Sequence, residues 1–375
     1  MTTNKIVLGA GFGDEGKGRV VSSLVANNSN SLVVRFNGGH QAGHTVVKDN
    51  ISHVFSSFGS GSLHGVSTYW SKNCTVYPFA LLNEYKCLQE KGITPELFIH
   101  PLAPITTILD VRHNRSTAVH GTVGVGFGAT IQRQEDHYKL HFIDLLYTRV
   151  LKEKLVNIAK YYKISKIEEF IEKFQKNVSL LANIPTIHMV EAPDWNAYSN
   201  IVYEGAQGIL LDKDYGFFPF VTRSNTTSQN AFAMLNSSAT VFYVTRCYQV
   251  RHGLGPMTNE KIPPPLINNA NETNKTNDYQ GSLRIGALDV DLLHYSLKVD
   301  EIFSRQSFKC LVVTCLDQIS GDFSVTKSGK IYNFTDSDHL IKSLKTWLKV
   351  DEVLISNSPT GELLRSTDLK VNNIL

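Results

Sequence analysis

A glycine-rich loop between an apolar strand and a helix constrains the fold of this chain more than any other feature. Residues 6–8 are apolar, five glycines fall within residues 9–18, and a helical pattern resumes over residues 19–25. A strand, a glycine loop and a helix in this order are typical of α/β proteins, in which parallel strands alternate with helices. The loop then lies at the carboxyl end of a strand, where such proteins place their functional residues.

Further apolar segments continue this alternation along the chain. Strands are predicted at residues 32–36, 200–203, 240–244, 310–314 and 352–355. Residues 146–181 have helical spacing and predict two surface helices. We therefore predict a single large α/β domain over residues 1–375, with a mainly parallel central sheet. Three prolines followed by many asparagines and threonines predict a mobile loop at residues 262–280.

Charge and cysteine content exclude several classes of protein. The 37 basic and 34 acidic side chains nearly balance, so no general nucleic-acid-binding surface is indicated. The five cysteines contain no CxxC pair, which argues against a disulfide framework and a zinc site. No apolar run reaches the roughly 18 residues of a membrane span, and the first residues show no export leader. We expect a soluble, cytoplasmic protein without a nucleic-acid or membrane partner.

The first glycine loop, residues 11–18, has the spacing GxxxxGK of a P-loop but ends in Gly18, where a P-loop has Ser or Thr. Its backbone N–H groups and the following helix favour a phosphate, and Lys17 adds a positive charge. Asp14 is unusual in such a loop, because a carboxylate repels phosphate. We therefore predict that Asp14 binds magnesium, accepts a proton during a reaction, or does both.

The second loop reads NGGHQAGHT over residues 37–45 and contains two histidines among glycines and alanine. Such a backbone can approach a ligand closely. His44 is a candidate to donate a proton or a hydrogen bond to an oxygen that acquires charge, whereas His40 is interpreted as a loop-packing residue.

Four motifs together resemble the adenylosuccinate synthetases, and the likeness covers nearly the whole chain in order. They are GDEGKG at residues 13–18, VRFNGGHQAGHTVV at 34–47, EGAQGILLDKDYGFFPFVTRSNTT at 204–227 and TRCYQVRHGLGP at 245–256. The resemblance implies the adenylosuccinate synthetase fold, Mg²⁺ as cofactor and a homodimer. It also implies a ligase that transfers the γ-phosphoryl group of ATP or GTP to O6 of a purine nucleoside monophosphate, after which L-aspartate displaces the phosphate.

The resemblance also implies roles for individual residues. Asp14 takes the N1 proton of the purine, His44 assists phosphoryl transfer, Lys17 neutralises phosphate charge, and Asp14 and the carbonyl of Gly43 hold magnesium. Arg284 is implied in aspartate binding. The implied contacts of the nucleotide substrate are Asp14, Gln41, Thr122, Gln207, Thr222, Ser282 and Arg133, the last reaching into the site of the neighbouring subunit. The implied contacts of the phosphate donor are Gly13, Glu15, Gly16, Lys17, Gly18, Gly43, His44, Thr45, Asp317 and Pro359.

Departures from the family pattern fall at positions implied in ligand contact. Gln41 replaces asparagine, Cys315 replaces the lysine of TKLD, and the arginine-rich aspartate loop has become residues 281–286, GSLRIG. Loss of an arginine that reads a 2′-hydroxyl removes a reason to prefer ribonucleotides. These changes resemble the phage branch of the family, which joins aspartate to dGMP with an adenine nucleotide as donor; such a chain would act in the host cytoplasm. Arg223, where the family often has serine, is interpreted as a surface substitution or a nucleotide contact.

Two alternatives stay open. An ordinary member of the family would use IMP and GTP, and Asp14, the usual residue of the family, favours this alternative. A non-catalytic P-loop protein that binds nucleotides is the alternative of another class. It explains neither the EGAQG motif nor the two histidines of the second loop.

Overall fold

The structure is a computed structural model that describes residues 2–117, 122–235, 237–266, 272, 274, 276, 280–360 and 362–365. The described strands are β1 Thr3–Gly9, β2 Ser31–Arg35, β3 His44–Lys48, β4 Ile51–Phe55, β5 Ser67–Trp70, β6 Leu97–Ile99, β7 Ile187–Met189, β8 Asn200–Gly208, β9 Thr240–Arg246, β10 Gln249–His252, β11 Leu283–Gly286, β12 Leu288–Asp289, β13 Phe308–Thr314, β14 Phe323–Lys327, β15 Lys330–Phe334, β16 Glu352–Ile355 and β17 Leu364–Arg365. The described helices are α1 Lys17–Val25, α2 Pro78–Glu90, α3 Ile108–Thr117, α4 Phe127–Glu135, α5 Thr148–Tyr161, α6 Glu168–Ala182, α7 Gln229–Phe232, α8 Val290–Ser304 and α9 Ser337–Leu348.

A ten-stranded sheet runs through the molecule in the order β17-β16-β13-β9-β1-β8-β2-β5-β6-β7. Neighbouring strands pair in parallel except β16 and β17, which are antiparallel. The predicted mainly parallel sheet in a large α/β fold is confirmed. The predicted mobile loop at 262–280 falls in large part outside the described residues.

The central strands contain apolar runs because both faces of the sheet are covered. All five residues of β2 are buried, as are the last five of β13. Parallel strands covered on both faces read as continuous apolar runs, which explains why the sequence pattern located them. The six strands predicted from the sequence correspond to β1, β2, β8, β9, β13 and β16.

The two helices predicted within 146–181 are α5 and α6. Each buries one apolar face, with Leu155, Ile158, Phe174 and Leu181 in a hydrophobic cluster beside the β5-β6-β7 end of the sheet. Among the described residues, no helix has the length and apolar character that crossing a membrane requires.

The carboxyl ends of the central strands lie at one edge of the sheet, since these strands are parallel. β1 ends at Gly9, β2 at Arg35, β8 at Gly208, β9 at Arg246 and β13 at Thr314. Each of these ends leads into one of the motifs singled out in the sequence. The fold therefore gathers those motifs around the central strand β1, the region where open parallel sheets bind ligands.

Candidate active site

The first glycine loop folds over the end of β8 with no space for a side chain between them. A Cβ on Gly208 would lie 2.2 Å from the carbonyl oxygen of Gly11 and 2.6 Å from the nitrogen of Gly13. The second loop is equally close, because a Cβ on Gly18 would lie 2.7 Å from the Cβ of His44. Glycine at these positions lets the two loops and the end of β8 form one site.

A buried ion pair organises the first loop from within. The carboxylate of Glu15 accepts hydrogen bonds from the backbone nitrogens of Gly11 (3.1 Å) and Gly13 (2.7 Å) and lies 2.9 Å from the Nζ of Lys17. The hydroxyl of Thr314 donates to the carbonyl of Glu15 at 2.8 Å and so ties the loop to the end of β13. Glu15 therefore fixes the loop backbone and the position of Lys17.

Asp14 lies at the turn of this loop with a φ of 64° and is partly exposed. Burial of its carboxyl group raises its pKa, and the positive charge of Arg246 opposes this rise. Arg246 donates from Nε to the carbonyl oxygen of Asp14 at 2.7 Å and from Nη1 to the hydroxyl of Tyr248 at 2.8 Å. A carboxylate with a raised pKa is a stronger proton acceptor, as the predicted role of Asp14 requires.

His44 opens β3 and contacts a carboxylate from β8. Its Nδ1 lies 2.5 Å from Oε1 of Glu204, which is fully buried. Ser60 donates to the same carboxylate from its backbone nitrogen at 3.0 Å and from its hydroxyl. Burial lowers the pKa of His44, while Glu204 acts in the opposite direction. Burial alone would raise the pKa of Glu204, but the charges of His44 and Arg35 hold it at about 2, so Glu204 is ionised.

A cavity of about 790 Å³ opens beside Gln41 of the second loop and Gln207 near the end of β8. Four of the predicted nucleotide contacts line it: Gln41, Thr122, Gln207 and Thr222. Both amide atoms of Gln41 and the Oε1 of Gln207 are buried and have no hydrogen-bond partner among the described residues. Because a buried polar group without a partner is costly, these amides suit a polar ligand. The cavity has the size of small-molecule sites.

Arg133 does not fit its predicted role. Its guanidinium group is completely buried and forms an ion pair with Asp110 at 2.8 Å. It also donates to the carbonyl oxygens of Ile105, at 2.8 Å, and Tyr138. These contacts use the guanidinium inside its own chain. The burial of Arg133 was not visible from its sequence position, and its predicted reach into a neighbouring subunit stays a prediction that these contacts do not favour.

Arg284 also has its contacts within the chain. Its Nη1 lies 3.2 Å from Glu260, and its Nη2 donates to the carbonyl oxygens of Gly253 (3.0 Å) and Gly255 (2.8 Å). These bonds support the turn after β10, which lines the cavity. Ser282 is exposed just before β11. Aspartate binding by Arg284 and nucleotide contact by Ser282 stay predictions.

The remaining predicted contacts of the phosphate donor lie at the same edge of the sheet. Asp317 is exposed just after β13, and Pro359 is exposed after β16. Gly16 precedes α1 with a φ of 93°, and Gly43 and Thr45 flank His44. Their positions are compatible with one ligand spanning the first loop and the ends of β13 and β16, and their donor contacts stay predictions.

Asp14 is the one carboxylate predicted to bind magnesium, so the protein would supply only part of the coordination shell. The described residues contain no group of three or more His, Cys, Asp or Glu side chains placed to hold a metal. Magnesium commonly takes one or two carboxylates and completes its shell with phosphate oxygens and water. Asp14, with the carbonyl of the exposed residue Gly43, fits that kind of site.

A parallel sheet with a phosphate-type glycine loop and a nucleotide-sized cavity at one edge defines a nucleotide-dependent enzyme. A sequence profile of the adenylosuccinate synthetase family matches residues 6–356. The adenylosuccinate synthetase of Blochmanniella pennsylvanica is 30% identical over 94% of this chain and 87% of its own. That of Thermoplasma volcanium is 30% identical over 87% of this chain and 79% of its own.

Two solved structures share the fold. The fully ligated adenylosuccinate synthetase of Plasmodium falciparum matches with a TM-score of 0.75 and 20% identity, over 95% of this chain and 97% of its own. The succinoaminodeoxyadenylate synthetase of cyanophage S-2L matches with a TM-score of 0.67 and 14% identity, over 99% of this chain and 98% of its own.

The chain belongs to the adenylosuccinate synthetase family. It is a ligase that forms a C–N bond between aspartate and a purine nucleotide, with a nucleoside triphosphate as phosphate donor.

Proposed function

We propose that this ligase joins L-aspartate to C6 of dGMP, with ATP as phosphate donor, and so produces N6-succino-2-amino-2′-deoxyadenylate, ADP and phosphate. The reaction supplies a precursor of 2-aminoadenine deoxynucleotides. The proposal goes beyond the family chemistry in two respects, the deoxyribonucleotide acceptor and the adenine nucleotide donor.

The observation that carries the proposal is the single arginine in the loop at residues 281–286. Arg284 is its one cationic side chain, and its guanidinium is bound to Glu260 and to the carbonyls of Gly253 and Gly255. The nearby position is Ser282, which is exposed. A site that hydrogen-bonds a hydroxyl discriminates strongly against a substrate lacking it. This loop offers no second arginine for a 2′-hydroxyl, which favours a deoxyribonucleotide.

The donor preference rests on Cys315. It occupies the position at which the family has a lysine beside the base of GTP, and it adopts a φ of 63° at the start of the turn Leu316–Gln318. Its carbonyl accepts a contact from the thiol of Cys247 at 3.2 Å. A cysteine cannot supply the aliphatic stem and charge of lysine, so this position gives GTP no advantage over ATP.

The cyanophage S-2L enzyme supports the same proposal. Its structure was determined with dGMP and with dATP as energy donor. The similarity to this chain extends over the whole fold, at 14% identity. A fold of this kind can therefore carry dGMP together with an adenine nucleotide as energy donor.

The chemistry begins with activation of the 6-oxo group, which is a poor leaving group. Asp14 takes the N1 proton of the purine, and the resulting negative charge moves to O6, which attacks the γ-phosphorus. Burial raises the pKa of Asp14 and so strengthens it as the base. The amine of aspartate then adds at C6 and phosphate leaves with the former O6.

His44 stabilises charge during both steps. Glu204 binds its Nδ1 at 2.5 Å and orients the ring. Burial lowers the pKa of His44 and the charge of Glu204 opposes this effect; the negative charge of a bound triphosphate would act in the same direction as Glu204. With a proton on Nε2, the ring would donate to an oxygen that acquires charge.

Lys17 and the loop backbone bind the phosphates of the donor. Magnesium, held by Asp14 and the carbonyl of Gly43, would neutralise phosphate charge in the transition state. Glu15 keeps Lys17 in place, with 2.9 Å between the Nζ and Oε2 atoms.

The experiment that tests this function measures aspartate-dependent phosphate release. The acceptors are dGMP, GMP, IMP and dIMP, and each is tested with ATP and with GTP. We expect dGMP with ATP to have the highest kcat/KM. Equal values for dGMP and GMP would contradict the argument from Ser282. Preference for IMP with GTP would contradict both parts of the proposal.

An ordinary adenylosuccinate synthetase reaction with IMP and GTP is the second candidate. Asp14, the usual family residue, is present, and the curated relatives at 30% identity are adenylosuccinate synthetases.

We further propose a homodimer, which sedimentation velocity would test. A monomer at working concentrations would contradict it.

A further inference from the structure

We propose that Arg223 binds the 5′-phosphate of the nucleotide substrate from within the same chain. The inference rests on the proposed function, in that it assumes a purine nucleoside monophosphate in the cavity. It applies to dGMP and to IMP alike.

Arg223 lies on the cavity wall, in a segment that two backbone hydrogen bonds hold in place. The backbone nitrogen of Thr222 donates to the carbonyl oxygen of Leu211 at 2.8 Å. The backbone nitrogen of Lys213 donates to the carbonyl oxygen of Ser224 at 3.2 Å. Arg223 lies between these two contacts and lines the cavity together with Thr222. Thr222, a predicted substrate contact, and Arg223 therefore line the same cavity from neighbouring positions in the chain.

The other wall at this point is suited to an anion. Phe127 and Gly128, the first residues of α4, line the cavity near Thr122. Backbone N–H groups at the start of a helix have no partner within the helix. A Cβ on Gly128 would lie 3.8 Å from the Cδ of Arg223, so the stem of the arginine passes beside this first turn.

The guanidinium of Arg223 can exchange its present carboxylate partner for a phosphate. Its one described partner is Glu135, at 3.3 Å, and both side chains are about half exposed, at 48% and 57%. Exposed ion pairs of this kind are weak. A phosphate dianion offers two oxygens to the planar guanidinium and so replaces the carboxylate readily.

The other arginines near the cavity are already bound. All three nitrogens of Arg251 donate to carbonyl oxygens, those of Leu254 (3.1 Å), Pro256 (2.7 Å) and Phe220 (3.1 Å). Arg133 is buried against Asp110. Arg223 is thus the arginine lining the cavity with a guanidinium that a ligand can take.

The test separates recognition of phosphate from recognition of the base. Calorimetry, direct and by displacement, gives Kd for dGMP, deoxyguanosine, IMP and inosine with the intact chain. The quantity compared is the ratio of the nucleoside Kd to the nucleotide Kd. Arg223→Ser removes the cation, and Arg223→Lys keeps the charge without the planar fork. Lys213→Ser is the matched control, because Lys213 is an exposed cation that lines the same cavity.

For Arg223→Ser we expect the ratio to fall by at least about tenfold, because it loses charged hydrogen bonds. The Kd of the nucleoside should be unchanged, Arg223→Lys should lie between, and Lys213→Ser should keep the ratio of the original chain. An equal loss for nucleotide and nucleoside, or an equal fall in Lys213→Ser, would overturn the proposal. Binding of IMP but not of dGMP would overturn the proposed acceptor, and the IMP and inosine pair would still decide the role of Arg223. Absence of binding by both nucleotides would overturn both.

Discussion

Glu204, in the middle of β8, holds the imidazole of His44 with 2.5 Å between Oε1 and Nδ1. The two residues are 160 positions apart in the sequence and both are buried. Because β1 lies between β8 and β9 in the sheet, this contact is at the centre of the molecule, beside the glycine loop. The orientation and the charge of His44 therefore depend on a residue that need not touch the substrate.

Glu204→Gln should lower kcat about a hundredfold and change the KM for the nucleotide little, because the amide cannot stabilise a protonated His44. Steady-state kinetics measures this. Glu84→Gln is the matched control, since Glu84 is a second buried carboxylate beside a histidine, 3.5 Å from His53 and away from the cavity. Equal kcat losses in the two variants would show a general effect on stability and contradict a role through His44.

The same substitution tests the ionisation of Glu204. Its folded-state pKa of about 2 is below the ordinary value of 4.5, so its contribution to stability is present above pH 4.5 and is lost as the pH falls towards 2. Urea unfolding should show Glu204→Gln less stable by about 3 kcal/mol at pH 7. The difference should be about 1 kcal/mol smaller at pH 4. A difference independent of pH would contradict an ionised Glu204.

Asp14→Asn should lower kcat by about a thousandfold and leave the thermal midpoint within a few degrees of the original, because the amide cannot accept the N1 proton. In the original chain, the acidic limb of the kcat/KM profile should lie above the ordinary pKa of an aspartate, since burial raises that of Asp14. Retention of more than about a tenth of the activity would remove Asp14 from proton transfer.

The path of the O6 atom tests the order of the two steps. With ¹⁸O at the 6-position of the nucleotide, the phosphate released should carry the label, because O6 is phosphorylated before aspartate displaces it. Mass spectrometry of the phosphate measures this. Unlabelled phosphate would mean that water, not O6, attacks the donor.

Gly208→Ala should destabilise the chain by about 2 kcal/mol, because its Cβ would overlap the carbonyl oxygen of Gly11 at 2.2 Å. Gly128→Ala serves as the control for stability, since its Cβ would meet its nearest neighbour at 3.8 Å on a helix. Chemical denaturation compares the two. Equal stability of both variants would contradict the close contact between the first loop and β8.

The sequence predicted the central strands well and the sheet edges poorly. Strands β1, β2, β8, β9, β13 and β16 each contain at least three consecutive apolar residues. By contrast, β6 and β7 have three residues each and pair at one edge, and the two residues of β17 pair at the other. Such short segments contain too few residues to show the alternation of apolar and polar residues that identifies a strand. Their pairing is decided by the rest of the sheet.

The glycine loops and the glutamines of the cavity were recognisable because their spacing and motifs are local. Contacts between residues distant in sequence could not be recognised. The sequence showed Glu204 only as part of the EGAQG motif and gave no sign of its contact with His44. Arg246 illustrates the same limit, since its bond to the carbonyl of Asp14 spans 232 residues. The contacts of Arg133 were equally hidden, because its partner Asp110 lies on another helix and the sequence gives no sign that the side chain is buried.

The most direct test of the proposed acceptor is a competition in one vessel. Equal concentrations of dGMP and IMP are mixed with aspartate, magnesium, ATP and GTP, and the two succinyl products are quantified by mass spectrometry at low conversion. Their ratio equals the ratio of the two kcat/KM values. The account predicts a large excess of N6-succino-2-amino-2′-deoxyadenylate. An excess of adenylosuccinate would contradict it and identify the chain as an IMP enzyme.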